Sequence, residues 1–222
     1  MLDNRLSAAL SFIDEEDFVS DVGADHGYLS KAILDKGSKY VQVIENKIGP
    51  LNNAKKTLEG YNNVEFSLSS GFDNLSKKVD TAVICGMGGL NIVKIIDDNL
   101  SKVKLLKKLI LGPNSKVYEL RLYLYKNGFS IVDEVIAIDD CHFYNIMKVE
   151  PKEVNNYSIE ELIFGPTLLK KQSNEFFLKY KRELKELNKI LSNANLSKED
   201  YKLLDEKKDM ILKNVIGVNN EN

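Results

Sequence analysis

The sequence is poor in the residues that build disulfide frameworks and metal centres, with two cysteines and two histidines among 222 residues. Cys85 and Cys141 are enough for one bridge, which is no scaffold for a chain of this size, so both thiols are expected to be reduced. No close cluster of cysteine and histidine supplies the ligands of a structural zinc site. The sequence therefore predicts no disulfide-rich fold and no protein-bound metal.

Long apolar runs are lacking too. A membrane-spanning helix needs about 18 apolar residues in a row, and no window of this sequence approaches that length. The first residues carry Asp3, Asp14, Glu15 and Glu16 rather than the pattern of a signal peptide. With 43% apolar and 29% charged residues, the composition is that of a globular, cytoplasmic protein.

A strong net charge is also absent, since the formal value is −2. Residues 101–128 are a local exception, with one acid, Glu119, against seven basic residues. The basic residues are Lys102, Lys104, Lys107, Lys108, Lys116, Arg121 and Lys126. This excess fits either a polyanion-binding surface or a solvated helix face beside a buried strand, and the run alone favours the solvated face.

Short apolar runs alternate with helical patterns, as in parallel strands covered by helices. Strands are predicted near 17–22, 40–45, 63–68, 80–85, 108–112, 129–137 and 143–149. Helices are predicted over 3–13, 27–37, 49–59, 88–99 and 115–127. The last two strands are separated by only about five residues, too few for a parallel crossover, so they form an antiparallel hairpin. The expected class is α/β, with the mostly parallel seven-stranded sheet of the class I methyltransferase fold.

Beyond Pro151 the strand signal stops and two amphipathic helical stretches remain. The apolar stripe of the first consists of Leu169, Phe176, Tyr180, Leu184, Leu187 and Leu191. The second starts at Ser197, which with Asp200 resembles a capping box, and its stripe consists of Tyr201, Leu204, Ile211 and Val215. With a turn at 193–196 and a frayed tail at 219–222, we expect a helical coiled-coil hairpin. The predicted domains are 1–151 and 152–222.

The densest chemical signal is the turn that follows the first strand, residues 21–28, DVGADHGY. Gly23 and Gly27 let the backbone approach a ligand, but the third glycine of a dinucleotide fingerprint is missing. Asp21 and Asp25 would repel a pyrophosphate and attract a ligand that carries an ammonium and a sulfonium. That ligand is S-adenosylmethionine.

Two further segments support this interpretation. Glu45 ends the second strand, where a carboxylate accepts hydrogen bonds from ribose hydroxyls. Residues 85–89, CGMGG, end the fourth strand and fit either a cradle for a ligand or a tight structural turn. Asn114, after the fifth strand, either donates to a substrate base or caps the next helix.

At these residues the chain resembles the TrmK-type tRNA methyltransferases, which methylate N1 of adenine 22 of tRNA. The resemblance rests on the segments DVGADHGYL at 21–29 and GMGG at 86–89, together with Arg5, Glu45 and Pro113-Asn114. It covers nearly the whole chain, including a C-terminal coiled-coil domain. Two positions depart from the family pattern: Ser70 replaces an Asp expected to contact the adenine of the cofactor, and Gly112 replaces a Gln.

The resemblance implies S-adenosylmethionine as cofactor and tRNA as substrate. Adenine N1 carries a lone pair and no proton, so alignment matters more than a base. Asp25 is expected to accept from the adenine amine, and Tyr28 either stacks on the base or packs over the cofactor.

The candidate residues fall into three groups. The catalytic candidates are Asp25, Asn114 and Tyr28. The cofactor-binding candidates are Asp21, Gly23, His26, Glu45, Ser70, Gly71, Gly86, Met87 and Gly88. The tRNA-binding candidates are Arg5, Lys104, Lys107, Lys108, Lys116 and Arg121. The alternatives are a methyltransferase of another RNA or of a small molecule, and a non-catalytic RNA-binding protein whose glycine turns are architectural.

Overall fold

A computed structural model describes residues 2–152, 156–192 and 196–217. It divides into two compact units, Met1–Tyr157 and Ser158–Asn222, which are described separately. The division falls after the predicted boundary at 151 because Tyr157 belongs to the first unit. Its hydroxyl accepts a hydrogen bond from the Ile131 backbone N–H at 3.1 Å, and its ring packs against the core.

Strands and helices alternate through the first unit. The strands are β1 Phe18–Val22, β2 Tyr40–Glu45, β3 Val64–Leu68, β4 Thr81–Met87, β5 Lys108–Pro113, β6 Ser130–Asp139 and β7 His142–Glu150. The helices are α1 Asn4–Ser11, α2 Tyr28–Asp35, α3 Ile48–Thr57, α4 Gly89–Asp97, α5 Leu100–Val103 and α6 Val117–Lys126. The predicted elements are confirmed, and only α5 was missed, because four residues are too few to show a helical period.

The strands form one seven-stranded sheet in the order β3-β2-β1-β4-β5-β7-β6. Strands β1 to β5 are parallel, and β7 runs antiparallel to both of its neighbours. This is the predicted class I methyltransferase fold. Because the chain winds outward from β1 in one direction and from β4 in the other, the crevice between their carboxyl ends is where such sheets bind ligands.

The β6–β7 connection is tighter than predicted. Asp140 and Cys141 alone make the turn, with φ angles of 44° and 63°, as in the two-residue turns that match the twist of antiparallel strands. Both strands therefore continue further than the apolar pattern indicates.

The core lies on the two faces of the sheet. Helices α1, α2 and α3 cover one face with residues such as Ala9, Ile33 and Ala54. Helices α4 and α6 cover the other with Ile92 and Leu124. The middle strands are buried on both faces, so they are mostly apolar rather than alternating, and their few polar residues, such as Asp21 and Gln42, are buried too.

The second unit is helical in its described residues. Its helices are α7 Ile159–Phe164, α8 Leu168–Lys171, α9 Asn174–Leu191 and α10 Lys198–Ile211, followed by a π-helical turn at Leu212–Ile216. The prediction that Leu169 belongs to the first long helix is wrong. Gln172 adopts a left-handed φ of 46°, which ends α8, and Ser173 then caps α9 by accepting from the Phe176 N–H.

The long helices α9 and α10 pack as an antiparallel pair. Phe176, Tyr180 and Leu187 of the predicted stripe are buried, and Lys207 pairs with Glu183 at 2.5 Å. In α10 the predicted stripe is wrong at Tyr201, which is 46% exposed. The predicted turn at 193–196 lies outside the described residues except for Leu196, and the tail at 219–222 lies outside them altogether.

Ser197 caps α10 by accepting from the Asp200 N–H at 3.0 Å. The Asp200 carboxylate accepts a hydrogen bond from the Ser197 hydroxyl and not from the Ser197 backbone N–H. The side chain of Asp is shorter than that of the usual Glu, so the reciprocal backbone bond of a capping box is not made.

Two residues predicted to bind tRNA are instead buried in ion pairs of the first unit. The Arg121 Nε donates to Glu134 Oε1 at 2.9 Å, and both side chains are at most 1% exposed. Lys108 Nζ lies 2.6 Å from Asp17 Oδ2, which is also buried. Neither cation is accessible to a phosphate, so both assignments are corrected to structural roles.

Replacing Arg121 with Met should destabilise the protein by about 3 kcal/mol, because the buried Glu134 carboxylate loses its charged partner. The double variant Arg121→Met/Glu134→Leu should recover much of that loss, since it removes both charges together. Urea unfolding of the three proteins measures the effect. Equal stability of the single variant and the wild type would show that the pair is not structural.

Candidate active site

The β1–α2 turn brings main chain and carboxylates together at the carboxyl edge of the sheet. Gly23, Asp25 and Gly27 have φ angles of 75°, 50° and 72°, a region that favours glycine. The Gly23 N–H donates to the Ile44 carbonyl at 2.8 Å, which holds the turn against β2. A side chain at Gly23 would place its Cβ 2.2 Å from the Met87 methyl, so this glycine keeps the space between β1 and β4 open.

Asp21 is a buried carboxylate at this edge. It is 3% exposed and accepts a hydrogen bond from the Ser30 hydroxyl at 2.6 Å. Burial raises the pKa of Asp21 to about 6, and the nearby Glu45 carboxylate acts in the same direction. The hydrogen bonds from Ser30 lower the pKa and offset only part of this rise. The folded protein thus holds a disfavoured negative charge at neutral pH, which a cationic ligand would stabilise.

Glu45, at the end of β2, is 7% exposed. Its Oε1 accepts the backbone N–H of Asp25 at 2.5 Å, so the carboxylate orients the turn as well as facing the site. The side chain of Asp25 remains 67% exposed and lies 3.7 Å from the His26 Nε2.

The first cavity at this edge of the sheet, about 220 Å³, lies beside the ends of β2 and β3. Its lining includes Gly23, Glu45, Ser70, Gly71 and Met87. The sequence reasoning missed its far wall, which is formed by Asn91, Lys94 and Ile95 of α4 and by Asp98 just after this helix. The glycine-rich start of α4 was the available signal, because it sets where this helix begins.

The second cavity, about 350 Å³, shares Gly23 with the first. Its lining includes Arg5, Asp21, Asp25, Cys85 and Gly86. At the mouth the rings of His26 and Tyr28 stack, with centroids 5.5 Å apart and planes 15° from parallel. Tyr28 is 57% exposed, so one side of this pair is open to a planar ligand.

The glycines of residues 86–89 have separate roles. A Cβ at Gly86 would lie 2.8 Å from the Arg5 guanidinium, at the wall of the second cavity. A Cβ at Gly89 would lie 2.4 Å from the Lys116 carbonyl oxygen, and the Gly89 N–H donates to Ser115. Gly86 therefore shapes the cavity, whereas Gly89 is required by the close approach of the next loop.

Asn114 does not cap α6, because the N-cap position is Lys116. Its amide donates to the Gly86 carbonyl at 2.8 Å, and its backbone N–H donates to the Met87 carbonyl. The exposed side chain thus lies at the end of β4. Gly112, where the resemblance predicts Gln, is explained by packing: a Cβ there would lie 2.7 Å from the Cys85 sulfur.

The basic residues predicted to bind tRNA lie at two opposite edges. Lys104 and Lys107 precede β5, so they lie at the amino edge of the parallel sheet, away from both cavities. Lys104 donates to the Gly128 carbonyl, and Lys107 pairs with Asp17 at 3.1 Å. Residues before and after a parallel strand lie at opposite edges of the sheet, so these two tRNA-binding candidates do not lie beside the cavities. Lys116 follows β5 and lies at the carboxyl edge, 56% exposed.

The described residues contain no helix long and apolar enough to cross a membrane. In that same part of the chain, no group of three or more His, Cys, Asp or Glu side chains is arranged to hold a metal ion.

A family model described as TrmK, tRNA (adenine(22)-N(1))-methyltransferase, matches residues 19–220. The chain belongs to the TrmK family. The resemblance noted from the glycine turns is thereby confirmed, and the activity of a TrmK protein is that of an S-adenosylmethionine-dependent tRNA (adenine(22)-N(1))-methyltransferase.

Individual relatives agree with this membership. The Bacillus subtilis tRNA (adenine(22)-N(1))-methyltransferase is 29% identical over 230 residues, which cover 97% of each chain. A Streptococcus pneumoniae protein crystallised with S-adenosyl-L-methionine is 30% identical, covers 97% of this chain and 100% of its own, and has a TM-score of 0.89. The crystal structure of Bacillus subtilis TrmK is 26% identical over 97% and 99% of the two chains, with a TM-score of 0.84.

Replacing Asp21 with Asn should stabilise this TrmK protein at neutral pH. Because the raised pKa makes the folded state lose stability as pH rises from 3.8 to about 6, a neutral side chain removes that loss. The gain should be about 2 kcal/mol larger at pH 7.5 than at pH 4.5. Urea unfolding at the two pH values measures it.

Asp35→Asn is the matched control, because hydrogen bonds from Lys31 and Tyr61 lower the pKa of Asp35. This variant should not gain stability as pH rises. An Asp21→Asn gain that is the same at both pH values would contradict the role given to the buried charge.

Proposed function

We propose that this TrmK protein transfers the methyl group of S-adenosylmethionine to N1 of adenine 22 of tRNA at the two cavities that meet at Gly23. The observation that supports this most directly is the charge of the site. Asp21 and Asp25 line the second cavity and Glu45 lines the first. A ligand with a sulfonium and an ammonium fits this acidic pair of cavities better than a pyrophosphate does.

The residues present fit the donor along its length. When bound, S-adenosylmethionine supplies a methyl group on a positively charged sulfur. Glu45 accepts from the ribose hydroxyls, and Ser70 with Gly71 borders the adenine. Met87 borders the passage between the cavities, and Asp21 attracts the positive charge of the methionine end. The donor site is completed by Gly23, Gly86 and Gly88, which let the main chain lie close to the donor, and by the ring of His26.

The acceptor adenine enters the second cavity. Asp25 accepts a hydrogen bond from the N6 amine and stabilises the positive charge that the base acquires. Asn114 borders the base at the end of β4, and Tyr28 presents the open face of the His26–Tyr28 pair. No residue removes a proton from N1, because that atom attacks through its lone pair. The work of the site is alignment and charge stabilisation.

The tRNA contacts follow from the same edge of the sheet. Adenine N1 lies on the Watson–Crick edge, so the nucleotide must be extruded or already unpaired. Arg5 and Lys116 are the candidates for holding the surrounding RNA. We assign methyl transfer to the first unit, whose predicted bounds are 1–151. We assign recognition of the tRNA shape to the helical domain, whose predicted bounds are 152–222. A tRNA substrate places the protein in the cytoplasm.

The central test uses labelled donor and two unmodified tRNAs that differ only in adenine or guanine at position 22. Label should enter the adenine-22 tRNA alone, and mass spectrometry should find the methyl group on N1. Equal labelling of both tRNAs, or labelling of neither while calorimetry shows normal donor binding, would reject this acceptor and favour another RNA or a small molecule. Absence of donor binding would favour the non-catalytic alternative.

Replacing Asp25 with Asn should lower kcat by about 10- to 100-fold. Asn tolerates the left-handed φ of 50° at this position, so the turn is retained while the charge is lost. The donor Kd should change less than about threefold, because Asp25 contacts Glu45 through its backbone. A loss of donor binding equal to the loss of rate would place Asp25 at the donor instead.

Lys116 and Lys107 provide a matched pair of exposed lysines at opposite edges of the sheet. Lys116→Gln should raise the KM for tRNA by about threefold, because a phosphate contact near the site is lost. Lys107→Gln should leave that KM unchanged. Steady-state kinetics over a range of salt concentrations makes the comparison, and equal effects of the two substitutions would contradict the placement of tRNA at the carboxyl edge.

A further inference from the structure

The tip of the β6–β7 hairpin extends beyond the sheet beside the second cavity. The last paired residues of β5 and β7 are Leu111 and Met147, and β5 ends at Pro113. Since β7 runs antiparallel to β5, its residues 142–144 lie past the carboxyl end of β5. This overhang of about 10 Å stands at the edge of the sheet that carries the active site.

Helix α1 is fastened to this tip and also lines the second cavity. The Asn4 side chain donates to the Ile138 carbonyl at 2.8 Å, and its backbone N–H donates to Asp139 at 3.2 Å. The next residue, Arg5, borders the second cavity close to Gly86. The hairpin tip and the active site therefore share α1 as a wall.

Three planar side chains lead from that wall to the tip. The Arg5 guanidinium lies 5.6 Å from the centroid of the Tyr144 ring, and the Tyr144 ring lies 6.4 Å from that of His142. Tyr144 and His142 are two residues apart in β7, so they share a face of the hairpin. Tyr144 is half-buried and His142 is exposed. We call Arg5, Tyr144 and His142 the tip ladder.

The charge around the tip ladder selects the kind of group that it can bind. Asp139 and the exposed Asp140 lie at the same tip, and Asp3 is 3.4 Å from Arg5. These carboxylates repel the negative charge of a phosphate group. Aromatic rings and guanidinium planes, by contrast, stack on unpaired bases, and carboxylates accept from the amino groups of bases.

We propose that the tip ladder stacks an unpaired base next to adenine 22 of the tRNA. The inference rests on the proposed function, which places adenine 22 in the second cavity. A neighbouring nucleotide then leaves the cavity along α1 and meets Tyr144 and His142. The ladder holds the RNA strand on one side of the extruded base and takes no part in methyl transfer.

The test is a double-mutant cycle between protein and RNA. The Kd is measured for wild-type protein and His142→Ala, each with intact tRNA and with tRNA that lacks the base at nucleotide 21 or 23. His142→Ala should weaken binding of intact tRNA about 5- to 10-fold. Loss of one of the two bases should weaken wild-type binding by a similar factor, and the two changes together should cost no more than either alone.

His142→Phe is the matched control, because it keeps a flat ring and should bind intact tRNA within about twofold of wild type. All the proteins should share the kcat of wild type at saturating tRNA and the same donor Kd. If His142→Ala binds tRNA as tightly as wild type, or if the two losses of affinity multiply in the cycle, the proposed role of the tip ladder is rejected. Methylation of adenine 22 is not affected by either result. Failure of the wild type to methylate adenine 22 would instead reject the proposed function.

Discussion

The site depends on one unfavourable interaction, the burial of the Asp21 carboxylate at the crevice between β1 and β4. A negative charge placed there loses hydration, and the hydroxyl of Ser30 replaces only part of what water supplied. The burial of the mostly apolar middle strands offsets this cost. Under the proposed function, the positive charge of the bound donor also offsets this cost.

Charge is separated between the two edges of the sheet. At the amino edge, Lys107 and Lys108 neutralise Asp17 within the fold. At the carboxyl edge, Asp21, Asp25 and Glu45 have no lysine paired with them in the ion pairs of the described residues. Lys107 and Lys108 therefore stabilise the fold at the amino edge, whereas the carboxylates of the β1–α2 turn and of Glu45 keep their negative charge at the carboxyl edge. An acidic site can still work on RNA, since the base that enters it is neutral and becomes positive.

Local signals in the sequence were enough for the fold and for the centre of the site. Apolar runs indicated the strands. The glycines of the β1–α2 turn and of residues 86–89 identified the crevice, because Gly23, Gly27 and Gly86 have positive φ angles and Gly89 is closely approached by the next loop. Charge was harder to interpret. Lys104 and Lys107 were misplaced because a run of basic residues does not show on which side of a strand it ends. Arg121 was misplaced because its buried partner, Glu134, lies on another element.

The ends of β4 and β5 are joined by two main-chain hydrogen bonds, from the Gly89 N–H to the Ser115 carbonyl and from the Asn114 N–H to the Met87 carbonyl, and the side-chain amide of Asn114 adds a third to the Gly86 carbonyl. Under the proposed function, one wall of the acceptor entrance is therefore held by backbone hydrogen bonds, which most side-chain replacements leave intact. Enlarging the entrance to admit a bulkier base would require remodelling the opposite wall, at α1 and the β1–α2 turn. The range of acceptors open to this scaffold is thus limited by main-chain geometry.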